Sequence, residues 1–179
     1  MKSIIVAILS FSFLILSGFV PARNVYLHDS DLLSIEFPAE PKKQTQQVDT
    51  EIGPLSIDMV MLEQTEGTDG QYLYAVMTSV YPDSLINSDK TEMHEKFFRG
   101  SIDGAVNNVQ GKILSEKIVS LKGYPGRQIA IDYGSGMAVI SMTMYLVHNE
   151  MIFLQTISKP GEQENAAAAK FYGSFKLKK

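Results

Sequence analysis

The stretch Val119-Ser-Leu-Lys-Gly-Tyr-Pro-Gly-Arg-Gln-Ile-Ala-Ile-Asp-Tyr133 decides how this chain is read. Apolar residues flank Gly123-Tyr124-Pro125-Gly126, and beyond it Ile129, Ile131 and Tyr133 alternate with Gln128, Ala130 and Asp132. Alternation at period two marks a strand with one buried face. Proline presets one turn dihedral and glycine accepts a positive φ, so Gly123–Gly126 reads as the tight turn between two strands. Upstream of this hairpin the pattern is a β-meander ending in a helix. Downstream it is a second meander, also ending in a helix.

In the upstream half, Arg23 to Asp31 reads as a polar lead, and Leu33, Ile35 and Phe37 then share one face of a strand. Pro38-Ala39-Glu40-Pro41 ends that strand, because proline cannot donate to a ladder. Gln44 to Ile52 is polar and β-tolerant, an edge strand protected by its own polarity. Gly53-Pro54 turns the chain into a strand with Leu55, Ile57, Met59 and Met61 on one face, and Gln71 to Tyr81 forms the next. Asp89 followed by Glu92 reads as a capping box. It opens a helix whose apolar stripe is Met93, Phe97, Ile102, Val106 and Val109, widened by Phe98 and Ala105. Gly100 and Gly104 weaken a helix, so their expected use is a close approach to the sheet, and Gly111 is expected to stop the helix.

In the downstream half, Lys112 to Leu121 and Arg127 to Tyr133 pair across the quoted turn. Gly134-Ser135-Gly136 leads into Met137 to Val147, and His148-Asn149-Glu150 is a short connection in which Asn149 suits a left-handed conformation. Met151 to Ile157 is nearly all apolar, as a central strand covered on both faces would be. Pro160-Gly161 precedes a last helix, expected from about Glu162 to Tyr172, and the tail Ser174 to Leu177 packs back. The pattern predicts an α+β domain: an antiparallel sheet of about six to eight strands with helices packed on its faces. No short repeat or linker interrupts residues 23–179, which read as a single domain.

Residues 1–22 stand apart. Met1-Lys2 is a short positive start, Ile4 to Phe19 is an almost unbroken apolar run, and Val20-Pro21-Ala22 supplies a cleavage-type site. A signal peptide cleaved after Ala22 makes the mature chain periplasmic or secreted. The alternative is an uncleaved anchor, because the run approaches the roughly 20 residues that span a bilayer. Membrane contact would then come through this segment alone. The absence of cysteine removes a lipoprotein anchor, structural disulfides, thiol nucleophiles and cysteine zinc sites together. The net charge of -4 is spread along the chain, whereas nucleic acid needs a concentrated basic face.

Four segments carry a resemblance: Ser34-Ile-Glu-Phe-Pro-Ala-Glu-Pro41, Ile102-Asp-Gly-Ala-Val106, Ser120-Leu-Lys-Gly-Tyr-Pro-Gly-Arg127 and Phe171-Tyr-Gly-Ser-Phe-Lys-Leu177. With this order of elements, the chain resembles the PsbP-like proteins, which include the extrinsic photosystem II subunit and DcrB-type periplasmic proteins. The resemblance implies an α/β/α sandwich and an exported or accessory role. It implies no catalytic set.

His28, His94 and His148 lie in the lead, on the first helix and in a hairpin turn, and none has a second histidine at ligand spacing. Met59 with Met61, and Met142 with Met144, place thioethers together on strand faces, and soft sulfur suits Cu(I). They share those faces with Leu55, Ile57, Ile140 and Leu146, so they read as core filling. Neither a Gly-x-Ser-x-Gly elbow nor a phosphate loop is present.

The reading is therefore a non-catalytic interaction or accessory protein of the cell envelope, with no cofactor and no metal, docking on another envelope protein. Tyrosine and arginine are enriched at the energetic centres of interfaces, which selects Arg99, Tyr124 and Arg127 as the candidate surface. The competing assignment has Tyr124 cover the sheet end and Arg127 pair with Asp132 or the turn. The alternative function is a small-ligand or lipid carrier using an apolar cleft between sheet and helix.

Overall fold

The computed structural model describes residues 25–50, 53–65 and 69–178; the expected signal peptide lies outside them. The order of elements is β1 (Tyr26–Asp29), β2 (Leu33–Phe37), β3 (Lys42–Thr50), β4 (Gly53–Glu63), β5 (Gln71–Val80), α1 (Thr91–Asn108), β6 (Lys112–Leu121), β7 (Tyr124–Tyr133), β8 (Ala138–Val147), β9 (Glu150–Ser158), α2 (Ala166–Ser174) and β10 (Lys176–Leu177). The main sheet is antiparallel with seven strands in the order β3-β4-β5-β9-β8-β7-β6. The two meanders join through their last strands, β5 and β9. Each following helix crosses to the other meander: α1 leaves β5 and packs on β7, whereas α2 leaves β9 and packs on β5 and β2.

The helices lie on opposite faces, as the α+β reading requires. Under α1, Phe98 and Ile102 meet Ile129 and Ile131 of β7 and Met142 and Met144 of β8. On the other face, Phe171 of α2 meets Phe37, Tyr74 and Leu154. β9 is the central strand and gives Met151 to one core and Ile152 and Leu154 to the other, which accounts for its unbroken apolar run. β3 is an edge strand with Lys42 to Gln47 exposed, as its polarity predicts.

Several local expectations change. A second, three-stranded sheet, β1-β2-β10, lies beside α2, so part of the polar lead is in fact strand β1. The organising hairpin turns at Lys122–Gly123, because Leu121 already pairs with Tyr124. Both turn residues have positive φ, 51° and 89°, the combination that matches the twist of paired strands. Pro125 and Gly126 belong to β7, and Pro125 is tolerated because the ladder to β8 begins only at Gly126. A Cβ on Gly126 would sit 2.5 Å from the Met144 carbonyl oxygen and 2.6 Å from the Tyr145 ring. Close approach, and not turn geometry, fixes this glycine. In the β8–β9 hairpin the left-handed residue is His148 (φ 52°), leaving the Asn149 side chain to donate to the Tyr81 carbonyl at 2.6 Å.

The capping box at Asp89 does not form. Asn87 Oδ1 accepts from the Asp89 amide at 3.0 Å, which holds this segment in an Asx turn, and α1 starts beyond Lys90 with no side-chain cap. At its other end the left-handed residue is Gln110 (φ 49°) and not Gly111. The Gly111 and Gln110 amides donate to Val106 and Asn107, closing a Schellman motif. Gly111 is needed for space instead, since a Cβ there would lie 2.5 Å from Ile131 Cγ2. α2 begins four residues later than Glu162, where Asn165 Oδ1 accepts from the Ala167 and Ala168 amides at 3.0 Å.

Gly100 and Gly104 do not bring α1 close to the sheet. Both are exposed, and a Cβ on either meets nothing within 4 Å. Alanine at each position should therefore stabilise the protein by about 1 kcal/mol, the helix-propensity difference. Urea unfolding of Gly100→Ala and Gly104→Ala measures this, and a loss of stability would contradict the open placement.

Candidate functional site

The flank formed by α1, β7 and β6 holds most of the ionic groups that sequence reasoning selected. Arg127 faces α1 from β7 and is only 7% exposed. Its guanidinium carbon lies 4.9 Å from the centroid of the Phe98 ring. Nη2 donates to Glu95 Oε2 at 2.5 Å, Nη1 donates to the Gly126 carbonyl at 3.0 Å, and Nε lies 3.9 Å from Glu116 Oε1. Arg99 Nη2 donates to the same Glu116 oxygen at 2.5 Å, while Nη1 stands 3.7 Å from Asp103. The hydrogen bond that Arg99 donates to Glu116 is the main reason the Arg99 pKa is raised from its ordinary value. Charges thus alternate from α1 across β7 and β6 and back to α1: Glu95, Arg127, Glu116, Arg99, Asp103.

This ladder brings Arg99 and Arg127 together through Glu116 and leaves Tyr124 out. Successive strand residues point to opposite faces, so Tyr124 lies on the α2 side of β7. Its hydroxyl is 2.9 Å from His148 Nε2, and the two rings meet edge-on at 5.2 Å. Arg127 does not pair with Asp132; of the expected Gly123–Gly126 turn it reaches only the Gly126 carbonyl, and its ionic partners are Glu95 and Glu116. With its guanidinium under α1, Arg127 positions the helix and offers little outer surface. Arg99 remains accessible, its side chain 39% exposed.

Sequence reasoning missed the neighbour that completes this flank. β6 is the other edge of the main sheet, and among the described residues no strand lies beyond it. Unlike β3, it exposes large apolar side chains: Ile118 is 79% exposed and Leu114 54%. Ile118 lies directly opposite Arg127 in the register, so it borders the ion ladder. A bulge between Ile113 and Ser115 interrupts the pairing with β7, and the regular stretch from Ser115 to Leu121 presents its outward N–H and C=O groups to solvent. In the sequence Ile118 sits beside Val119 in an ordinary strand-like stretch, and edge position is not a local property.

The carrier alternative placed a cleft between sheet and helix. That space is filled under α1, where Met144 is 0% and Met142 7% exposed among Phe98, Ile102, Ile129 and Ile131. Met137 is exposed in the β7–β8 turn and stands apart from these methionines. Among the described residues no group of three or more His, Asp or Glu side chains could hold a metal ion, and no helix is long and apolar enough to cross a membrane.

A cleft lies on the opposite face, at the β3–β4–β5 corner. It is an open cleft of about 680 Å³ between the β1–β2 turn and the main sheet. Its lining includes His28, Asp31, Lys43, Thr45, Asp58 and Thr78 around Leu32, Val60 and Val76. His28, expected in an unstructured lead, sits on β1 opposite Ile35. Burial first, and then the charge of Lys43, lower its pKa from the ordinary 6.5, against a smaller opposing effect of Asp29. Its Nδ1 is buried with no hydrogen-bond partner.

A lowered histidine pKa has a definite sign in linkage. Below 6.5 the unfolded chain binds the proton more readily than the folded one, so stability falls as pH drops through 6.5 toward the lower folded value. Above that range the group contributes nothing. Thermal unfolding between neutral and mildly acidic pH should show a smaller decline in Tm for His28→Gln than for the wild type. Equal slopes would contradict the assignment.

No family profile matches the sequence, and no curated protein matches it either. Among solved structures the chain is similar to the solution structure of cyanobacterial PsbP (CyanoP) from Synechocystis sp. PCC 6803. The TM-score is 0.52 at 11% identity, over 89% of this chain and 96% of that one. At that identity the likeness establishes the PsbP-like α+β fold and nothing about activity.

Proposed function

We propose that this protein is an exported accessory module of the cell envelope that docks on another envelope protein through its β6 edge, with Arg99 at the margin of the contact. The observation that carries this reading is the contrast between the two edges of the main sheet. β3 is guarded by exposed lysine, glutamine and threonine, whereas β6 displays Ile118 and Leu114 beside unpaired backbone groups. Such an edge is an aggregation liability unless a partner strand covers it. Export, and a place with the periplasmic DcrB-type proteins of this fold, rest on the signal-type residues 1–22.

A photo-crosslinking residue at position 118, with a second at Gln46 of β3 as control, tests the reading in cells. Position 118 should give one discrete adduct that Gln46 does not give, and adding Arg99→Ala to the same chain should weaken it. Ile118→Lys should abolish co-purification of that partner while leaving Tm within a degree or two, since an exposed substitution changes stability by only about 0.5 kcal/mol. Identical adducts at both edges, or an unchanged partner yield with Ile118→Lys, would remove the β6 edge from the function.

A further inference from the structure

We propose that the cleft at the β3–β4–β5 corner is a binding site for a small zwitterion of the short-peptide class, independent of the β6 edge. The register places two cross-strand rows on its floor: Lys43–Val60–Val76, and beside it Thr45–Asp58–Thr78. The first row is cationic at one end and apolar along the rest. The second is polar throughout, with the Asp58 carboxylate at its centre.

Few of these polar groups are committed. Thr45 Oγ1 donates to Asp58 Oδ1 at 2.6 Å, which leaves the second carboxylate oxygen open to the cleft. Among the described residues Lys43 has no ion pair and Thr78 no side-chain hydrogen bond, and His28 Nδ1 has no partner. Apolar surface with a few convergent, unsatisfied polar groups is the ordinary make-up of a ligand site, and about 680 Å³ suits a small organic molecule.

The charges select the ligand. A simple anion would meet Lys43 but also the carboxylates of Asp58, Asp31 and Glu150. A simple cation would meet those carboxylates but also Lys43. A molecule bearing both charges satisfies the site, with its carboxylate at Lys43 and its ammonium at Asp58 and Thr78. Its apolar body then lies against the edge of the apolar wall that Leu32, Val60 and Val76 form. Diagonal positions on paired strands are about 7–8 Å apart, which a single α-amino acid does not bridge. An extended dipeptide of about 7 Å does.

Calorimetric titration of the purified protein with leucyl-leucine, N-acetyl-leucyl-leucine and leucyl-leucine amide tests the assignment. The zwitterionic dipeptide should bind saturably with a Kd of about 1 mM or tighter. Blocking either terminus should weaken binding at least about tenfold, as should Asp58→Asn and Lys43→Met. Both residues are exposed, so the variants should fold, and the Tm of each checks that. Saturable binding of the acetylated peptide as tight as that of the free one overturns the zwitterion assignment. So does the absence of saturation by any of the three up to about 10 mM, a binding energy too weak for a built site. Binding of leucyl-leucine that survives both variants places the site elsewhere. None of these results depends on Ile118 or a docking partner.

Discussion

Truncating Phe171 to alanine should lower the unfolding free energy by about 3–5 kcal/mol, the cost of removing a fully buried aromatic ring. Phe171 is 2% exposed and projects from α2 into the core shared by the main and small sheets. Its ring meets Phe37 edge-on at 5.3 Å and Tyr74 at 5.2 Å. Those partners come from β2 and β5, so one side chain joins the helix to both sheets. The neighbouring contacts cannot close the gap, because α2 is held at both ends. Asn165 caps its start, and near its end Tyr172 donates to the Ser141 carbonyl at 2.8 Å. Urea unfolding of Phe171→Ala with an unchanged m-value would confirm the size of the effect. A loss under about 1 kcal/mol would show that α2 contributes little to this core.

Met144→Ala should cost about 2–5 kcal/mol, the range for emptying a buried methionine site. Met144 is completely buried beneath α1, beside the guanidinium–aromatic contact of Arg127 and Phe98. The variant separates two roles for the methionines. If they fill a core, stability falls and no ligand binding changes. If they lined a carrier cleft on this face, affinity would fall with little loss of fold. Equilibrium unfolding decides between them: a loss of about 2–5 kcal/mol assigns Met144 to the core, and a loss under about 1 kcal/mol would point to a cleft lining.

The sequence determined the order and kind of the main elements. Period-two patterns at Leu55 to Met61, Ile129 to Tyr133 and Ile140 to Leu146 are strands, and the continuous apolar run Met151 to Ile157 is the central strand. It also determined that β3 would be an edge, because its polarity is visible residue by residue. These are short-range properties, set by steric preference and by which side of a single element is apolar.

Tertiary structure decided the rest. Tyr26–Asp29 is a strand only because β2 lies against it. Pro125-Gly126 looks like a turn and is not one, since two earlier residues take the positive φ values and Gly126 must admit the Tyr145 ring. Arg127 was legible as important, but its partner Glu95 is 32 residues away and reaches it only because α1 crosses to the second meander. The cleft was illegible for the same reason. Lys43, Asp58 and Thr78 are ordinary surface residues in sequence, and the antiparallel register of three strands gathers them beside His28. Register and helix placement are fixed by the packing of distant faces against each other, and a local pattern carries no record of it.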